Sequence, residues 1–179
     1  GDLSQLLGWF EQRWIADVTA PAPLEYWREW RLELARRYRA AAHLHPNVAR
    51  LVSVERARNT DALTIPEAIV GQLAQLGLGE ELVHAYNALM GAVQGFVVLE
   101  LALIAESGPD TVSEIERDLR ALDPARFPNI TRNFDTLANR ALSMRWTDAQ
   151  HDPLDDSFEY LISLLLNGLA ARLPKPPGR

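Results

Sequence analysis

Histidine is the first candidate for chemistry in this chain, because its 179 residues include no cysteine. Thiolate metal sites, disulfides and a cysteine nucleophile are thereby excluded. His43 and His45 flank Leu44, but Pro46 breaks the helix there. Their relative geometry is undefined, and no third ligand, His84 included, stands at a fixed spacing. Capping or surface roles suit them better, so no metal and no cofactor is expected. A serine elbow, a phosphate loop, a zinc motif and a helix-borne metal carboxylate signature are all missing from the sequence. No catalytic residue is assigned. The polar residues that remain interesting are Asn87, Gln94 and Glu100, set in the apolar run "NALMGAVQGFVVLELALI" (87–104). A buried amide must find partners or cost a few kcal/mol, roughly. Binding a small molecule, capping a neighbouring break and bonding across a subunit contact are all open to Asn87 and Gln94. Glu100 needs an arginine or an opening.

These side chains have to be held by helices. Apolar periodicity near 3.6 runs through the chain, and no convincing alternating strand is present. Helices are expected over 2–18, 23–43, 46–56, 64–76, 79–107, 111–122, 129–142 and 153–173. The breaks carry their own signals: "TAPAP" (19–23), His45-Pro46, the loop "RNTDALT", Gly77, Gly108-Pro109 and "DPARFP". The fold class is therefore all-α, one domain over 1–179, long enough for a sizeable core. A net charge of −6 disfavours a general nucleic-acid surface. "RRYR" (36–39) sends its arginines in different directions around a helix and reads as a solvated face. No signal peptide is visible, and 87–104 reads as the buried helix of a soluble, cytoplasmic protein with no membrane contact.

That apolar helix has two faces at 100° per residue. Tyr86, Met90, Val93, Val97, Leu101 and Ile104 form a broad one, with Asn87 and Gln94 at its edge. Ala88, Gly91, Ala92, Gly95, Leu99 and Ala102 form a second, apolar but small. Small side chains let another backbone approach, which can offset a glycine penalty of about 1 kcal/mol each. The last helix repeats the pattern. Phe158, Ile162, Leu165 and Leu169 face one way, and Tyr160, Leu164, Gly168 and Ala171 face another. Two such helices per subunit would make a four-helix dimer interface about a two-fold axis. A monomer holding both helices in its own core is the alternative.

The segments "WREWRLELARRYRAAAHLHPNVARL" (27–51), "QLGLGEELVHAYNAL", "AYNALMGAVQGFVVLELA" (85–102) and "FEYLISLLLNGLAARL" (158–173), in this order and spacing, resemble the C-terminal, ligand-binding and dimerisation domain of the tetracycline-repressor (TetR) family of transcriptional regulators. The resemblance covers nearly the whole chain. It implies a helical bundle that forms a homodimer through the last two long helices, with a small-molecule pocket inside each subunit. It also implies that ligand binding controls operator affinity by moving DNA-binding domains. The family's N-terminal helix-turn-helix domain is expected to be missing from this chain, with 1–18 as the connecting helix and DNA contacted only through that missing domain.

On this resemblance the pocket is expected to be lined by Tyr86, Asn87, Met90 and Gln94 from one helix and Trp27, Trp30, Leu34 and Tyr38 from another. Phe10 and Trp14 would form the wall towards the DNA-binding domain. The ligand would be largely apolar or aromatic. Arg56 and Arg58 flank the expected mouth and could attract an anionic ligand. Tetracycline-binding relatives place a magnesium-coordinating histidine in the short helix after 23–43. Here that region reads "VARLVSVERAR", without histidine, which argues against tetracycline–magnesium recognition. The competing functions are a helical enzyme using the same cavity and a purely structural dimerisation module.

Overall fold

Good helix formers crowd "WREWRLELARRYRAAAHL", and in the computed structural model this stretch is helix α1, Trp27–Leu44. The structure describes residues 26–49, 63–103 and 109–174. The later helices are α2 (Thr64–Ala74), α3 (Leu82–Glu100), α4 (Pro109–Arg120), α5 (Pro128–Arg132), α6 (Phe134–Leu137) and α7 (Asp155–Arg172). Short 3-10 turns occupy Gly79–Glu81, Leu101–Leu103 and Leu142–Met144. Residues 46–49 are helical too, and there is no strand among the described residues. The helix expected over 2–18, most of the one over 46–56 and nearly all of the loop "RNTDALT" lie outside the described residues.

The chain divides into two compact units, Gly1–Val98 with Asp156–Arg179, and Leu99–Asp155. In the first unit, cross-helix contacts fix the order of packing. Arg28 Nη1 donates to Asn167 Oδ1 at 2.8 Å, and Arg36 grips Glu159 at 2.6 and 2.9 Å. Eight residues up α1 (28 to 36) match eight residues down α7 (167 to 159), so these helices are antiparallel. Arg172 holds Glu81 at 2.6 and 2.8 Å, and Phe96 meets Phe158 edge to face at 5.5 Å. Hence α3 also runs antiparallel to α7. Exposed pairs such as these add little energy, about 0–1 kcal/mol each, but they report the register.

Burial supplies the cohesion. Trp30, Leu34, Tyr38, Ala41 and Ala42 from α1, Ile65, Ile69 and Leu73 from α2, and Phe158, Ile162, Leu166 and Leu169 from α7 are buried. On α7 the core position is Leu166, whereas Leu165, assigned inward from the sequence, is half-buried. The turn after α2 closes on Gly77 at φ +72°, a conformation glycine adopts without strain. A Cβ added there would also sit 3.3 Å from Pro174 Cγ, so the site is tight as well as left-handed.

In the second unit the sequence expectation of one helix over 129–142 is corrected. Two short helices, α5 and α6, stand there, separated at Asn133. The Asn133 side chain donates to Asn129 O at 2.8 Å, the local side-chain bonding by which asparagine competes with helix propagation. Asn139 then adopts φ +57°, the left-handed region, which asparagine tolerates better than most residues. Its Oδ1 accepts from Trp146 N, Thr147 N and Thr147 Oγ1 at 3.1–3.2 Å. That staple seats Trp146, which is buried and stacks on Phe134, whose ring also carries the Arg120 guanidinium. Asn139→Ala removes the acceptor and strains the backbone. The expected loss is about 2–3 kcal/mol of unfolding free energy in urea titration; a change below about 0.5 kcal/mol would contradict the staple.

Candidate functional site

The two faces of α3 separate cleanly in burial. Val93 and Val97 are buried, while Tyr86, Met90 and Gln94 are half-buried on the same side. Ala88, Gly91, Gly95 and Leu99 are exposed, Ala92 is half-buried, and Ala102, just beyond the helix, is exposed. Asn87, expected at the edge of the inner face, is exposed next to Ala88. On α7 all four residues of the proposed outer face, Tyr160, Leu164, Gly168 and Ala171, are exposed. Tyr160 is 67% accessible, Leu99 55% and Leu164 51%, all three on the outer faces of their helices.

The glycines sharpen this. A Cβ built on Gly91, Gly95 or Gly168 meets nothing within 4 Å. Each glycine costs its helix about 1 kcal/mol relative to alanine. No contact with the described residues of the protomer explains that cost.

The inner face offers aromatic and apolar surface with a few polar groups. Trp30, Leu34 and Tyr38 are buried on α1, and Trp27 is half-buried. Phe10, Trp14, Arg56 and Arg58 lie outside the described residues. One buried residue of α1 was not foreseen. Arg31 is only 4% accessible. Its Nη1 donates to Trp27 O at 2.8 Å, and its guanidinium lies 5.0 Å from the Trp27 ring centre. Nε and Nη2 are buried and have no hydrogen-bond partner. Desolvation pushes its pKa down to about 10, so it stays protonated at neutral pH. The sequence did contain a signal. At 100° per residue, Arg31 falls inside the arc from Trp30 through Leu34 and Tyr38 to Ala35.

Glu100 is fully buried, and its Oε1 accepts the Leu154 N–H at 2.7 Å. It thus caps the approach to α7, a use that its sequence neighbours did not reveal. The "RRYR" arginines are tied to neighbouring side chains: Arg36 to Glu159, Arg37 to Glu33, and Arg39 over Phe158. Among the described residues no group of three or more His, Cys, Asp or Glu is placed to hold a metal ion. The helical stretch 79–100 is long and apolar enough to cross a membrane by length and composition; only 11% of its apolar window is buried, so the buried helix expected from the sequence is corrected to one with a single buried face. An open depression is lined, among the described residues, by Ser113, Glu116, Arg117 and Arg120 of α4 and by Ala121 just after it.

Comparison with known proteins places this arrangement. The tetracyclin repressor-like, C-terminal domain family matches residues 20–173. Among solved structures, the chain is similar to a possible TetR family transcriptional regulator from Streptomyces coelicolor A3(2), with 23% identity and a TM-score of 0.68. That match covers 93% of this chain and 77% of the other. At this identity the likeness is one of fold. No curated protein matches the chain.

Proposed function

The chain belongs to the tetracyclin repressor-like C-terminal domain family of transcriptional regulators, and on that premise we propose that it is the small-molecule-sensing and dimerisation domain of a cytoplasmic regulator. Two copies associate through the outer faces of α3 and α7, Ala88, Gly91, Ala92, Gly95, Leu99 and Ala102 against Tyr160, Leu164, Gly168 and Ala171. The observation that carries this reading is the set of exposed helix glycines, together with exposed Tyr160 and Leu164, with nothing among the described residues against the glycines. A two-fold contact uses the same patch twice, so a narrow stripe of small residues suffices to let two helix pairs approach.

The ligand lies in the interior of the first unit. Trp27, Trp30, Leu34 and Tyr38 line it from α1, and Tyr86, Met90 and Gln94 from α3. Phe10 and Trp14, expected from the sequence as a further wall, lie outside the described residues. Asn87 belongs to this set only if the dimer covers it, since it is exposed in the protomer. The ligand acts by preferring one of two conformations, and a separate domain of the regulator reads DNA. A purely structural dimerisation module would have an interior of satisfied groups. The unpaired donors of Arg31 favour the sensor.

Two results are expected from the purified chain. Sedimentation equilibrium at micromolar concentration should give a dimer; a monomer would overturn the interface. A mobility-shift titration at physiological salt should show no sequence-dependent DNA complex, and operator-selective binding by these residues would refute the division of labour.

A further inference from the structure

Arg31 is the sole buried charge among the described residues of the first unit. The other buried guanidinium, Arg145, lies in the second unit; its Nη2 donates to Asp152 O, and its Nε and Nη1 are likewise buried without a partner. Only Arg31 lies in the unit that carries the aromatic face of α1. On its own helix Glu33 is bound to Arg37, and on α7 Glu159 is bound to Arg36. No carboxylate raises its pKa against the burial that lowers it. A buried charge without a counter-charge is disfavoured in a finished core.

The donors left over form a pattern. Nη1 is committed to Trp27 O, which fixes the orientation of the guanidinium plane. The unused pair, Nε and Nη2, lies on one edge of that plane, the edge that meets a carboxylate with two parallel hydrogen bonds. This protein uses the same edge twice elsewhere. Arg36 holds both oxygens of Glu159 through Nε and Nη2, and Arg172 holds both oxygens of Glu81 in the same way. Arg31 offers that grip with no carboxylate in it, and its neighbours along α1 are Trp27, Trp30 and Leu34.

We propose that Arg31 is the anchor of an acid-binding subsite, and that the molecule sensed by this domain is a small organic carboxylate with an apolar or aromatic body. The subsite rests on the proposed ligand interior of the first unit. The acid head takes the Nε/Nη2 edge, and the body lies along the aromatic face of α1. Binding supplies the missing counter-charge.

The test titrates the full chain with matched acid and amide pairs: indole-3-acetate with indole-3-acetamide, phenylacetate with phenylacetamide, and decanoate with decanamide. Thermal shift and calorimetry are the readouts. At least one acid should bind about ten-fold or more tightly than its amide, the loss expected when a charge-assisted fork is removed. Arg31→Met should abolish that preference while raising the melting temperature of the ligand-free protein, because an unpaired buried charge is replaced by an apolar side chain of similar length. Arg31→Lys keeps the charge without the fork and should retain only part of the preference; it serves as the test should the methionine variant not fold. Acid and amide binding equally well would overturn the subsite and leave the sensing interior standing. Binding by no member of any pair would overturn both. Equal protection by chloride or inorganic phosphate would mean an adventitious ion only. A destabilised Arg31→Met that still prefers acids would make Arg31 structural.

Discussion

Gly95→Trp is expected to leave the protomer folded and to split the dimer. Within one chain the substitution is benign, because a Cβ at Gly95 meets nothing within 4 Å and the site is exposed. Helix α3 should gain slightly, by about 0.5 kcal/mol, since tryptophan has a better helix propensity than glycine. Across a two-fold contact the effect reverses. Overpacking a fitted interface costs about 1–3 kcal/mol per site, and symmetry applies it twice. A total of about 2–6 kcal/mol raises the dissociation constant roughly 30-fold or more. Gly71 makes a suitable control. It also lies in a helix, is exposed and has open space at its Cβ, yet it sits on α2, away from the proposed face. Gly71→Trp should therefore remain dimeric. Sedimentation of both variants beside the parent decides the matter. A Gly95→Trp chain that stays dimeric at micromolar concentration would remove α3 from the interface.

The same arithmetic explains what the sequence made legible. Period-3.6 patterning located α1, α2, α3 and α7 because each buries one apolar stripe, with residues such as Trp30, Ile69, Val97 and Phe158, and α4 because Val112, Ile115 and Leu119 half-bury theirs. It failed over 129–142, where the deciding groups are two asparagine side chains. Asn133 and Asn139 act by hydrogen bonding to specific backbone and hydroxyl groups, and that information has no periodicity. It also passed over Arg31. A charged residue inside an apolar arc is easily read as a long side chain reaching for water. Here the chain folds the guanidinium back onto Trp27 O instead. Glu100 is the converse case. Its charge was visible, but one of its partners is a backbone N–H 54 residues away, in the segment just before α7. The outer face of α3 and α7 was legible because small residues at helical spacing have few uses in an isolated helix, and their exposure agrees with that pattern.

Phe158→Ala should cost the protomer more than any surface change in this chain. Phe158 lies where three helices of the first unit converge. It is 1% accessible, meets Phe96 of α3 edge to face at 60°, and carries the Arg39 guanidinium of α1 5.0 Å above its ring. Truncation loses the transfer energy of the ring and leaves a cavity that rigid helices on both sides cannot close. Such changes cost about 3–5 kcal/mol. With domain stabilities near 5–15 kcal/mol, that is roughly a fifth or more of the total. Phe158→Leu refills part of the space and should recover roughly half. Two residues on, Tyr160 points outward and is exposed, so Tyr160→Ala should change protomer stability by no more than about 0.5 kcal/mol. The melting temperature separates the two effects. A dimer that dissociates on unfolding melts higher as protein concentration rises. Phe158→Ala should lower the whole curve and keep its concentration dependence. Tyr160→Ala should flatten the dependence with little loss at high concentration. If Phe158→Ala instead loses less than about 1 kcal/mol in urea titration, the convergence of α1, α3 and α7 on this ring is not what holds the first unit together.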